Sequence, residues 1–253
     1  FLILFSVFLS CGLIKKTDTS EIELIISLQR TACFGTCPIY KIEIYTDGSG
    51  TYTGTRFVEN IGVSRSLNKG VHLAKGNLIA RLDADDISSA DRLEKQVGFM
   101  IENPKIVLCG SRFRELIKDK SLPQKVAFIK MDKSIRKSMS LFNPFAHSTV
   151  MFRKKTFIDA GGYSEKYKNG LDYELWLRML ALGEAHILDY ELCLIRFTEQ
   201  SFSYRNKRRQ KMEGILIRWN AFKKFGGNPT EALYYLIKSL IGLAFPSLNY
   251  FKR

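Results

Sequence analysis

Ala74-Lys-Gly-Asn-Leu-Ile-Ala-Arg-Leu-Asp-Ala-Asp-Asp86 is the stretch on which the reading of this chain turns. Leu78 to Leu82 predicts a short buried strand, apolar apart from Arg81. It runs straight into three carboxylates, Asp83, Asp85 and Asp86. Side chains alternate along an extended chain, so Asp83 and Asp85 can point to one side. The C-terminal ends of strands in an α/β sheet are where such sheets bind ligands. Hard oxygen donors there suit Mg²⁺ or Mn²⁺, and such an ion neutralises a diphosphate. A solvated acidic turn at the start of the next helix is the plainer reading of the same residues.

Composition narrows the choices. The chain has 253 residues, enough for one large or two small domains with a real core. Its 45% hydrophobic content is ordinary, but 39 Lys and Arg against 25 Asp and Glu give a net charge of +14. That excess suits an anionic partner: a nucleotide diphosphate, an anionic membrane or nucleic acid. Zinc-finger spacing and aromatic RNA-binding signatures are both missing, which sets nucleic acid aside.

More motifs stand in line with the first. Asn60-Ile-Gly-Val-Ser-Arg-Ser-Leu-Asn-Lys-Gly70 precedes it; Asp91-Arg-Leu-Glu-Lys-Gln96 and Asn103-Pro104 follow. Then come His147-Ser-Thr-Val-Met-Phe-Arg153, Gly161-Gly-Tyr163 and Asp172-Tyr-Glu-Leu-Trp-Leu-Arg178. In order and spacing, from about residue 60 to about 202, the chain resembles the family 2 glycosyltransferases. Several linked motifs are far more specific than any one of them. The resemblance implies an α/β fold with a partial nucleotide-sugar-binding, GT-A-like sheet of Rossmann type. It also implies inverting transfer of a sugar from a nucleotide-sugar donor to a glycan or lipid-linked acceptor, with Mn²⁺ or Mg²⁺ as cofactor. Asp172 matches the catalytic base, Asp85 the metal ligand, and Asn68, Asp83 and His147 match substrate-contacting positions. Leu171 stands where Glu or Gln is usual. Read from the residues alone, Asp172 is a good helix N-cap, where the helix terminus would keep it ionised, and His147 at a strand start has an ordinary structural explanation.

The first 58 residues point elsewhere. Phe1 to Leu9 is almost wholly apolar and ends in Ser10-Cys11-Gly12. It looks like the apolar core of a secretory signal, too short for a membrane span, although a buried N-terminal strand would read the same way. The Cys after Leu9-Ser10 resembles a bacterial lipoprotein site, with Phe8 where Leu is usual. From Glu21 to Val58, alternating Ile22, Leu24, Ile26, Leu28 and Tyr40, Ile42, Ile44 predict a small β meander. Asp47-Gly-Ser-Gly50 reads as its hairpin turn. It also resembles, less well, the nucleotide-side acidic segment of the family, with Thr46 in place of the first Asp. Arg30 to Tyr40 resembles a small domain of unknown function in exported bacterial proteins. Its Cys33 and Cys37 are open to a disulfide, a partial metal pair or two free thiols.

The family's opening strand is missing from the resemblance. This predicts a junction near Phe57 to Gly62, an exposed sheet edge prone to aggregation, and impaired turnover. The expected division is a signal-like segment at 1–16, a small β unit at 21–58, a glycosyltransferase-like module at 59–202 and basic, amphipathic helices at 203–253. Ser88 or Ser89 is expected to cap a helix packing through Leu93, Val97, Met100 and Ile101. Strands are expected at Leu78 to Leu82, Ile106 to Cys109 and Thr149 to Phe152, all in one sheet. Ser111 to Ser140 predicts a loop and helix over the site. Near the C-terminus, Tyr204 to Lys211 is strongly basic, and the apolar run Ala232 to Phe245 is short for a span. Together they fit an anionic membrane surface, placing the module peripherally on its cytoplasmic face; a helix packed on the domain is the alternative. The alternative function is a non-catalytic exported lipoprotein with a small β domain.

Overall fold

The computed structural model describes residues 62–118, 120–124, 129–198 and 206–244 with their side chains, Lys207 excepted, and the strand backbones at 6–11, 24–30, 39–45 and 50–55. Cys33, Cys37 and Asp47 lie outside the described residues. The strands are β1 (Ser6–Cys11), β2 (Leu24–Arg30), β3 (Ile39–Tyr45), β4 (Gly50–Thr55), β5 (Leu78–Asp83), β6 (Ile87–Ser88), β7 (Ile106–Ile117), β8 (Lys120–Pro123), β9 (Met151–Arg153) and β10 (Glu184–Arg196). The helices are α1 (Val63–Leu73), α2 (Arg92–Glu102), α3 (Asp132–Ser138), α4 (Lys154–Asp159), α5 (Leu171–Met179), α6 (Lys207–Phe225) and α7 (Pro229–Ala244).

The strands form one 10-stranded sheet in the order β4-β3-β2-β1-β5-β9-β7-β10-β6, with β8 on β7. β7 and β10 pair in parallel. β9 is antiparallel to both β5 and β7, so β5, β7 and β10 all run one way with β9 reversed among them. The three expected strands do share this sheet, and the fold is α/β. The Thr149 to Phe152 strand starts later than expected, because His147–Thr149 forms a short 3-10 turn first. Ser111 to Ser140 is less a loop than predicted: β7 continues to Ile117 and β8 returns along it.

The sheet buries both faces, as alternation along β5 requires. Ile79 of β5, Val107 and Leu108 of β7 and Phe152 of β9 face one core, with Leu67, Phe157, Leu175 and Trp176 from α1, α4 and α5. Leu78, Ala80, Met151 and Leu188 face the other, under Met100 of α2.

α2 departs from its expected packing. Ser88 lies in β6, and Asp91 precedes the helix without a side-chain cap bond. Ile101 is 52% exposed, and the buried residues are Arg92, Gln96 and Met100, spaced four apart. Arg92 Nη2 donates to the carbonyls of Arg81 (2.8 Å) and Val150 (3.2 Å). Gln96 Nε2 donates to those of Thr149 (2.8 Å) and Cys109 (3.3 Å). The helix is thus held by hydrogen bonds to β5, β7 and the chain entering β9, which a hydrophobic pattern cannot reveal.

The N-terminal strands extend the sheet beyond β5. β1 overlaps the stretch read as a signal core, and its backbone pairs antiparallel with β5 from Ser6↔Asp83 to Cys11↔Leu78. β2, β3 and β4 follow as an antiparallel meander. The edge of β5 is therefore paired, not exposed as expected. An apolar run of β-formers supplies the hydrogen-bonding partner that such an edge lacks.

Candidate active site at the ends of β5 and β10

β5 delivers Asp83 at its last residue, and the following turn carries Asp85 and Asp86. β10 runs the same way and ends at Arg196. The Arg196 amide donates to Asp86 Oδ1 (2.8 Å) and its Nε to the Asp85 carbonyl (3.3 Å). Two strand ends are thereby tied around the acidic motif.

The three carboxylates differ sharply in what they touch. Asp83 Oδ1 accepts from Arg81 Nη2 (2.5 Å), and Oδ2 accepts from Ser148 Oγ (3.0 Å). The Asp83 amide in turn donates to Ser148 Oγ (3.1 Å). Burial pushes the Asp83 carboxyl up, but the Arg81 guanidinium and the Ser148 hydroxyl more than offset this and hold it below its ordinary value. Asp86 is pushed up to about 7, chiefly by burial, with Asp83 and Asp85 adding to it. Asp85 is raised by burial and by the neighbouring Asp83 charge. Among the described residues no other side chain hydrogen-bonds its carboxylate, which leaves those oxygens available. No three His, Cys, Asp or Glu side chains converge to cage an ion among the described residues.

Arg81 is a buried charge in the middle of the sheet, 2% exposed. Its Nε and Nη1 are buried with no hydrogen-bond partner among the described residues. Such a group depends on a neighbouring anion, and Asp83 is that anion. The sequence had marked Arg81 only as the exception in an apolar strand; its charge there was the available signal.

Asp172 lies in the first turn of α5, whose N-cap is Gly170, so it is a helix residue and not the cap. Its Oδ2 accepts from Asn143 Nδ2 (2.9 Å). Burial raises its pKa to about 6, against the hydrogen bonds of nearby amides and Asn143; the Asp83 charge adds to the rise. The helix terminus was expected to keep it ionised; burial outweighs the terminus in raising the value, yet at about 6 the carboxylate is still mostly ionised at neutral pH. Asn143, in the loop after α3, escaped the sequence reading because nothing in its surroundings forms a pattern.

His147 links the two ends of this region. Its Nε2 hydrogen-bonds Tyr163 Oη (2.8 Å), and its ring meets Trp176 edge-on. Burial, aided by the Arg81 charge, lowers its pKa to about 3, so it is neutral. Asp83, His147 and Asp172 thus share one electrostatic neighbourhood.

Asn68 sits one layer behind. Its Nδ2 donates to the Tyr163 carbonyl (2.9 Å), and its Oδ1 accepts from the Tyr163 amide (2.7 Å). Both ends of the carboxamide are engaged, so Asn68 fastens the Gly161-Gly-Tyr163 turn to α1. Gly162, at φ 65°, is required there: an added Cβ would lie 2.7 Å from Asn68 Oδ1. Arg178 holds the same turn from α5 through the Ala160 and Gly162 carbonyls, and Glu174 steadies Arg178. Several motif residues are therefore scaffolding that sets Tyr163 against His147.

A cleft of about 430 Å³ opens beside the start of α5, lined among others by Ser64, Arg65, Lys168, Asn169 and Leu171. Asp83, Asp85 and Asp172 are not among its lining residues.

A family model described as a domain of unknown function (DUF6438) matches residues 24–91. That match crosses the junction expected near residues 57 to 62. The chain is 31% identical over 188 residues to the amylovoran biosynthesis glycosyltransferase AmsE of Erwinia amylovora, covering 73% of this chain and 70% of AmsE. A match of that length takes in Asp85 and Asp172 wherever it starts. The chain is also 34% identical over 128 residues to the Escherichia coli UDP-Gal:alpha-D-GlcNAc-diphosphoundecaprenol beta-1,3-galactosyltransferase, covering 49% of this chain and 45% of that enzyme. Among solved structures, the mannosyltransferase PcManGT from Pyrobaculum calidifontis, in complex with GDP-Man and Mn²⁺, is similar over 77% of this chain and 57% of its own, with 14% identity and a TM-score of 0.47. The chain thus spans between under half and 70% of the curated relatives' lengths. By its kinship with AmsE, the chain belongs to the glycosyltransferases.

Proposed function

We propose that the chain is a family 2, metal-dependent, inverting glycosyltransferase that moves a sugar from a nucleotide-sugar donor to a hydroxyl of a glycan or lipid-linked acceptor. One observation carries the reading: an Asp85 carboxylate that no other described side chain bonds and an Asp172 carboxylate, raised to about 6 and held by Asn143, both feel the charge of the same Asp83. The donor and acceptor classes come from kinship, since the galactosyltransferase relative is named for UDP-Gal and a diphosphoundecaprenol-linked acceptor. We place the chemistry in residues 59–202. Kinship with named glycosyltransferases gives no support to a non-catalytic lipoprotein.

The donor set fits Mn²⁺ or Mg²⁺. Asp85 offers hard oxygens, the donor type used by ions that bind through one or two carboxylates and complete their shell with water and substrate phosphates. When bound there, the ion neutralises the charge that develops on the departing diphosphate. Asp83, locked by Arg81 and Ser148, stays ionised and keeps the end of β5 rigid for the donor. Asp172 accepts the proton of the acceptor hydroxyl as its oxygen attacks the anomeric carbon, while the bond to the diphosphate breaks on the opposite face. With a pKa of about 6, Asp172 is mostly ionised at neutral pH yet basic enough to take that proton. Neutral His147 shares a hydrogen bond with Tyr163, whose hydroxyl feels the charges of both Asp83 and Asp172.

Calorimetry tests the reading. Asp85→Asn is expected to abolish Mn²⁺-dependent binding of a nucleotide sugar while leaving the fold intact. Unchanged metal-dependent affinity would remove Asp85 from the role.

A further inference from the structure

α7 is an apolar helix that the fold does not bury. Of its described residues only Gly242 is buried. Leu233, Ile237, Leu240 and Ile241 are each about half exposed, and they recur at the three- and four-residue spacing of one helix face. α6, by contrast, is anchored on its inner side: Ile217 and Ala221 are fully buried, and Glu213 accepts from the Asn169 and Gly170 amides (2.8 and 2.9 Å). Its outer side carries Met212, Leu216 and Trp219, again more than half exposed.

The two outer faces meet at Trp219 and Leu233. Trp219 and Phe222 of α6 and Leu233 and Leu236 of α7 line one apolar groove of about 200 Å³ between the helices. Arg218 Nη2 bonds Ser239 Oγ (2.7 Å) and Lys211 Nζ bonds the Gly242 carbonyl (2.9 Å), fixing the hairpin. An exposed apolar surface of this extent on a fixed hairpin marks a docking face.

Charge identifies the occupant. α6 carries seven Lys or Arg and one Glu. Lys223 lies over the Trp219 ring (5.2 Å) and Lys238 over the Tyr234 ring (5.8 Å), so cations flank the apolar residues on both helices. Apolar side chains bordered by lysines are the pattern of a helix lying in the interface of an anionic leaflet. α7 is about 24 Å long at 1.5 Å per residue, below the roughly 30 Å of a hydrocarbon core. No helix among the described residues is long and apolar enough to cross a membrane.

We propose that the α6–α7 hairpin docks flat on an anionic phospholipid bilayer, with Leu216, Trp219, Leu233, Ile237 and Ile241 entering the interface and Lys223 and Lys238 meeting the headgroups. Docking needs no turnover, so its test is separate from that of the transferase reading.

The chain contains two tryptophans, and Trp176 is fully buried, so Trp219 reports on this face. The full chain is mixed with vesicles of phosphatidylcholine alone or with added phosphatidylglycerol. Emission is expected to shift to the blue and the protein to co-sediment only with the anionic vesicles. Trp219→Phe should lose the shift and keep the sedimentation. Lys223→Glu with Lys224→Glu, and separately Ile237→Glu with Ile241→Glu, should each weaken binding roughly tenfold or more. All four positions are outside the buried core, and circular dichroism checks that the variants stay folded. Absence of binding, equal binding to neutral vesicles, or a stable dimer that already shields Trp219 before lipid is added would each overturn the proposal, the last by making a second copy the occupant.

Discussion

At the scale of single residues, the site depends on which carboxylates are already engaged. Asp83 is taken by Arg81 and Ser148, whereas Asp85 is left with its oxygens available. Both were legible as acidic motif residues, but their separation into a locked and an open carboxylate required knowing that Arg81 points along the strand to Asp83. Asp172 was legible as a candidate base, yet its surroundings were not, because burial comes from segments distant in sequence. Asp172→Asn is expected to lower turnover about 10²- to 10⁴-fold with donor binding kept, measured by steady-state kinetics and calorimetry. The base works deprotonated, so kcat/KM should fall as pH drops through about 6. The sign for stability is opposite: a carboxyl raised above its ordinary value favours the protonated fold, so this group loses activity in acid without promoting unfolding. Asn143 donates to the ionised form and lowers that pKa. Asn143→Ala should therefore move the acidic limb of the pH profile upward, and an unmoved limb would show that Asn143 does not set it.

Among the elements, α2 shows why periodicity carried only part of the answer. Its existence was readable from Leu93, Val97 and Met100, but its buried face is built on Arg92 and Gln96, which periodicity counts as polar. These side chains replace a purely apolar contact by hydrogen bonds to backbone carbonyls of Arg81, Cys109, Thr149 and Val150. Removing one takes a donor away from buried carbonyls, although the Val150 carbonyl keeps the Arg81 amide. Gln96→Ala is expected to cost about 2 kcal/mol and Arg92→Ala about 3 kcal/mol in urea unfolding. A loss below about 0.5 kcal/mol for either would mean that the bonds are replaced by water. β9 gives the complementary lesson. A three-residue strand is too short for any alternation to register, yet it reverses the direction of the sheet between β5 and β7.

For the whole molecule, the sheet unites parts that the sequence separates. Residues 59 onward were readable as an α/β module because linked motifs, β-strand runs and helix stops agree there. The attachment of β1 to β5 was not readable, since an apolar run followed by Ser-Cys-Gly serves a signal and a buried strand equally well. The most direct test of the central claim, that Asp85 and Asp172 together form a glycosyl-transfer site, is release of nucleoside diphosphate from a panel of nucleotide sugars by the purified chain at high concentration, with and without Mn²⁺. Slow, Mn²⁺-dependent release that Asp85→Asn abolishes and Asp172→Asn reduces at least about a hundredfold is the predicted result; release that is equal in the wild-type and Asp172→Asn chains, or indifferent to Mn²⁺, would contradict it.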